Sequence, residues 1–171
     1  MACQAIYVLV KGKGSHEDAC RRRLFASGAL EAVSKVLARY SSSASEAATA
    51  AKAVVALAEG GDSAACAKFG NLGVCSTVVE LLHSQGPASL SVARWCLRAV
   101  AVLAVGYQPN IAMLVAAGAC EVIPLVVQRH LHSSAVAGAG TCVSYYASLQ
   151  FAILFSFLHV HHCPYISNND G

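Results

Sequence analysis

The chain has 171 residues, 56% of them hydrophobic and only 12% charged, with a formal net charge of +3; that is the size of one domain or a few stacked units with a substantial buried core. Its only dense basic run, Arg21-Arg22-Arg23, directly follows the acidic pair Glu17-Asp18, so the basic stripe that nucleic acid requires is absent. The cysteines at 3, 20, 66, 75, 96, 120, 142 and 163 stand singly with no CxxC pair, and no basic residue precedes the apolar N-terminal stretch, so the expectation is buried thiols in a reducing compartment and no secretory leader, an intracellular chain of the cytoplasm or else the nucleus.

In chain order, Ala5-Ile6-Tyr7-Val8-Leu9-Val10 ahead of Gly12 reads as the last helix of a unit whose start is missing, so residues 1–12 form the end of a truncated repeat. The segment Leu24-Phe25-Ala26-Ser27-Gly28-Ala29-Leu30-Glu31-Ala32-Val33 then opens a pattern that returns twice. Phe69 to Val78 and Leu114 to Ile123 share its apolar residue, its glycine four positions later and its aliphatic five after that. Gly28, Gly73 and Gly118 are therefore spaced 45 residues apart. Past each glycine, Val33/Val36/Leu37, Val78/Leu81/Leu82 and Ile123/Val126/Val127 make an i, i+3, i+4 stripe, which is one apolar face of a helix. Polar breaks follow at Ser41-Ser42-Ser43 and at Ser84-Gln85-Gly86-Pro87.

The next helices align at a spacing of 46: Ala47 with Ala93, Ala53-Val54 with Ala99-Val100, Leu57-Ala58 with Leu103-Ala104. They stop at Gly60-Gly61 and at Gly106. Each unit is thus a short helix closed by a glycine that tolerates positive φ, a second helix of about three turns, a polar turn and a longer third helix. The units fall at 13–62, 63–108 and 109–149, the last degenerate at its end, followed by a non-repeating apolar tail at 150–171. No unit can bury its own apolar face, so stacking is required. Unstacked ends would favour self-association.

The small residue and Gly-Ala before an aliphatic helix, carried by Ala26-Ser27-Gly28-Ala29, Asn71-Leu72-Gly73-Val74 and Ala116-Ala117-Gly118-Ala119, resembles the armadillo repeat family. So do the closing runs Val54-Val55-Ala56-Leu57-Ala58 and Val100-Ala101-Val102-Leu103-Ala104. The resemblance covers residues 1–138 and favours armadillo over the two-helix HEAT repeat. It implies an all-α, right-handed α-solenoid of about three three-helix repeats, a fragment of a longer array. The third helices of such a solenoid line a concave groove for a peptide or helix of another protein. The family's groove asparagine is replaced by Ala56 and Val102, and its tryptophan position, four residues earlier, by Lys52 and Arg98.

Arg94 lies one turn before Arg98 on the same helix face. Lys52, Arg94 and Arg98 read either as a basic strip for an acidic or phosphorylated partner segment, or as solvated cations with Lys52 near Glu59. Trp95 reads as core packing. No nucleophile elbow, P-loop, H-E-x-x-H or dinucleotide fingerprint occurs, so no catalytic residue is assigned and an enzyme is not expected. His130 and His132, and His159-Val160-His161-His162-Cys163, are the histidine clusters. They lack the paired, separated knuckles of a structural zinc site, so no metal or cofactor is assigned.

Thr141 to Val160 is a twenty-residue stretch without charge, long enough to cross a bilayer, but Ser144, Ser148, Gln150, Ser156 and His159 interrupt it. The same region is also the expected third helix of the third unit from Ser133 to Leu149, weakened at Gly138 and Gly140 by about 1 kcal/mol each. The expected function is a protein-interaction scaffold, with a membrane-tethered adaptor as the alternative.

Overall fold

The computed structural model describes residues 2–10, 15–39, 42–59, 63–136 and 138, and every regular element among them is helical. The helices are α1 (Ala2–Val10), α2 (Ser15–Ala26), α3 (Ala29–Arg39), α4 (Ala44–Ala58), α5 (Ser63–Asn71), α6 (Val74–Ser84), α7 (Leu90–Gly106), α8 (Pro109–Ala116) and α9 (Ala119–Arg129). A helical turn follows at 134–136, its Val136 buried. The rest of the third helix expected to Leu149, apart from Gly138, and the tail at 150–171 lie outside the described residues.

Local chemistry accounts for the ends of these helices. In α2, Glu17 and Asp18 occupy the first turn and Arg23 the last, matching the positive and negative ends of the helix dipole. Pro109 opens α8, where its missing N–H costs nothing. Ser89 caps α7, its hydroxyl accepting from the Val92 N–H at 3.4 Å. Gly28, Gly73 and Gly118 have φ of 80°, 75° and 88°, and no other described residue has positive φ. At these glycines the chain turns sharply: α5 and α6 are bent by 71°, α8 and α9 by 73°. A Cβ on Gly73 would meet nothing closer than the Ser76 hydroxyl at 3.8 Å. Backbone sign, not crowding, is what requires glycine there.

Equivalent helices pack on one another. The helices α1, α4 and α7 form one contiguous row, and α3, α6 and α9 form another, with α5 and α8 closing the space between units. The core lies between the rows and holds Leu30, Val33 and Leu37 of α3, Val78, Leu81 and Leu82 of α6, and Val92, Leu97 and Leu103 of α7. Helix α4 is buried from Ala47 to Ala58 apart from Thr49 and Lys52, as expected of a helix flanked on both sides. Its alanines set the close approach.

Polar ties cross the joints. Arg21 of α2 donates from Nε to the Ala56 carbonyl at 3.0 Å and from Nη2 to the Val10 carbonyl at 2.9 Å. In the next unit Cys66 of α5 donates its thiol to the Val102 carbonyl at 3.8 Å. The two carbonyls sit 46 residues apart, at the same place in their helices. Asn110 of α8 is fully buried and donates from Nδ2 to the carbonyls of Cys66 (2.9 Å) and Leu103 (3.1 Å). On the outside, Lys68 pairs with Glu31 at 2.6 Å and holds that carboxyl below its ordinary 4.5.

Candidate functional site

The exposed edge of the α1, α4 and α7 row carries the polar and aromatic groups of interest. Tyr7 comes from α1, Lys52 from α4, and Arg94, Trp95 and Arg98 from α7. The Tyr7 and Trp95 rings meet edge to face, with centroids 5.9 Å apart and planes at 73°, a favoured aromatic geometry. The Lys52 ammonium sits 3.8 Å from the Tyr7 ring centre and 5.3 Å from that of Trp95. The guanidinium carbons of Arg94 and Arg98 lie 5.1 and 5.8 Å from the same indole. Three cations therefore converge on one half-buried indole, each within cation–π range.

One correction follows for the charged residues. Glu59 does not serve Lys52: its Oε1 accepts from Arg98, through Nε at 2.9 Å and through Nη2 in an ion pair. The alignment puts Lys52 and Arg98 at equivalent positions, yet only Arg98 acquires a carboxylate. Among the described residues neither Lys52 nor Arg94 pairs with one. Trp95 is half-buried at this edge, packed against the core and meeting the Tyr7 ring edge to face.

Ala56 and Val102 do not line the face equally. Ala56 is only 2% exposed and its carbonyl is occupied by Arg21, so its side chain is packing rather than a contact surface. Val102 is half-buried.

Beside Trp95 the three helices leave a recess of about 360 Å³. Gln4, Thr49, Lys52, Ser89 and Ser91 supply polar groups, and Ala44 and Ala48 part of the wall. No carboxylate lines it. The sequence pattern identified the cations, but Tyr7 and the serines passed unremarked. Their signal was the Ser-x-Ser at the start of both long helices, Ser43-Ala44-Ser45 and Ser89-Leu90-Ser91, 46 residues apart.

Away from this edge, four of the six described cysteines are buried. Cys3, Cys75 and Cys96 are buried free thiols, Cys66 is buried with its thiol on the Val102 carbonyl, and Cys20 and Cys120 are half-buried. Burial pushes the Cys75 thiol up to about 11 and Cys96 to about 12, which keeps both protonated and unreactive near neutrality. His130 hydrogen bonds through Nε2 with the Gly86 carbonyl at 2.7 Å. No cluster of three or more metal-ligating side chains occurs among the described residues, and His159, His161, His162 and Cys163 lie outside them. No single described helix is long and apolar enough to cross a membrane, and residues 141–160 are likewise outside.

No protein-family model, no curated protein and no solved structure matches the chain.

Proposed function

We propose that the chain is a protein-interaction scaffold, a right-handed α-solenoid of about three armadillo-like repeats, and that its α1, α4 and α7 edge binds an acidic segment of another protein. The carrying observation is the convergence of Lys52, Arg94 and Arg98 on Trp95, with Glu59 engaging only one of them. Like charges gathered on a ring repel one another, and an anion laid across them relieves that repulsion while the aromatic pair supplies contact area. The face has binding character and no paired acid and base, so catalysis is not part of the reading. The six cysteines among the described residues are outside any disulfide, which supports a reducing, intracellular setting.

The test is fluorescence anisotropy of the full chain with two degenerate peptide pools, one rich in Asp and Glu and one matched in Lys and Arg. The acidic pool should bind, more weakly as salt rises. Replacing Lys52 and Arg94 with glutamate should weaken it at least about tenfold, or about 1.4 kcal/mol, with the far-ultraviolet circular dichroism unchanged. Arg98→Met should cost less, because Arg98 is already engaged by Glu59. Equal binding of the two pools, or of wild type and the glutamate variant, would sink the proposal.

A further inference from the structure

We infer that the recess beside Lys52 receives a phosphoryl group carried on a serine or threonine of the partner segment; this rests on the groove reading above and assigns one site within it. The recess, about 360 Å³, is walled by the first turns of α4 and α7 together with α1. Its one charge is the Lys52 ammonium, which has no carboxylate partner among the described residues. Its hydroxyls are unequal. Thr49 donates its proton to the Ser45 carbonyl at 2.8 Å and is committed. Ser89 accepts from the Val92 N–H and keeps its own proton to give. Ser45 and Ser91 are exposed and their hydroxyls have no hydrogen-bond partner among the described residues.

The recess thus offers one cation and three hydroxyl protons, with no acidic side chain in its lining. A carboxylate presents two oxygens and a single charge. A phosphorylated side chain presents three acceptor oxygens and close to two charges at neutral pH, so it fits this donor set better. The same duplicated Ser-x-Ser that starts both long helices supplies three of the serines concerned, Ser45, Ser89 and Ser91. A phosphorylated lipid headgroup has the same chemistry, but anchoring to an anionic membrane draws on a cluster of about four to eight basic residues. Among the described residues the cations gathered at Trp95 number three, Lys52, Arg94 and Arg98. A phosphorylated peptide is therefore the occupant assigned.

The experiment uses the full chain and three peptide pools with identical acidic flanks and a single central serine, phosphoserine or aspartate. The phosphoserine pool should bind at least about tenfold more tightly than the aspartate pool at pH 7.5, and this advantage should shrink at pH 5.5 as the phosphate takes up its second proton near pH 6. The Ser45→Ala, Ser91→Ala double variant should lose the phosphoserine advantage while keeping the affinity for aspartate. If phosphoserine and aspartate pools bind equally, the phosphoryl site is overturned and the acidic-groove reading stands. If none of the pools binds, both fall. Vesicles containing a phosphoinositide that bind the chain as tightly as the phosphoserine pool would overturn the assignment in favour of lipid.

Discussion

Helices α4 and α7 occupy the same place in successive units, 46 residues apart, and are built differently. Helix α4 is an alanine helix buried nearly all round, with Lys52 its half-buried contribution to the α1–α7 edge. Helix α7 buries larger side chains, Leu97 and Leu103 among them, and presents Arg94, Trp95 and Arg98 on its other side. The two helices share their place and their buried positions while the side chains differ, Ala51 against Leu97 inside and Lys52 against Arg98 at the edge.

The largest test of that contrast is in the core. Leu97→Ala in α7 should destabilise the chain by about 2–5 kcal/mol, because it deletes a fully buried side chain and leaves a cavity. Ala51→Leu in α4 should cost about 1–3 kcal/mol for the opposite reason, overpacking a helix with neighbours on both sides. Urea unfolding separates the two, and an Ala51→Leu variant as stable as wild type would mean that α4 is loosely packed.

Next in size is the polar tie at the end of α7. Asn110→Ala removes the donor for two carbonyls, on Cys66 and Leu103, and should cost about 1–3 kcal/mol in the same assay. The aligned residue in the preceding unit is Ala65, buried and without a donor. Ala65 has no side-chain donor to make such a tie, and a neutral Asn110→Ala would mean that the two carbonyls lose nothing with the amide.

Glycine substitutions sharpen the comparison further. Gly73→Ala should cost about 1–2 kcal/mol, since φ of 75° is unfavourable for alanine although space is available. Gly106→Ala at the end of α7 fails differently, because its Cβ would run into the Cys66 sulfur. Adding Cys66→Ala should rescue Gly106→Ala in thermal unfolding, whereas Ser76→Ala should not rescue Gly73→Ala.

The last test is a pH dependence confined to alkaline solution. Burial raises the Cys75 and Cys96 thiols from the ordinary 9.0 to about 11 and about 12. The unfolded chain releases those protons first, so their contribution is intact below pH 9 and is lost as pH rises from 9 through 11 to 12. Urea midpoints should hold from pH 7 to 9 and then fall, and Cys75→Ala with Cys96→Ala should flatten that decline.

Much of the fold was legible in the residues alone. The glycine spacing of 45 located the three positive-φ turns, and the i, i+3, i+4 stripes located the buried faces of α3, α6 and α9. The Ala-rich runs located the long helices α4 and α7. These are properties of neighbours in the chain: a helix repeats every 3.6 residues and a left-handed turn favours glycine, whatever lies across the interface.

What only the tertiary structure decided are the pairings between residues distant in sequence. Equivalent positions hold Lys52 and Arg98, but Glu59 reaches Arg98, 39 residues away, while Lys52 settles over Tyr7 of α1. Ala56, expected on the groove, lies beneath Arg21 of α2. Asn110, with no motif to mark it, joins three helices. Periodicity states which side of a helix is apolar. It carries no information about which side chain of a neighbouring helix stands within hydrogen-bonding distance, because a few ångströms of helix offset decide that.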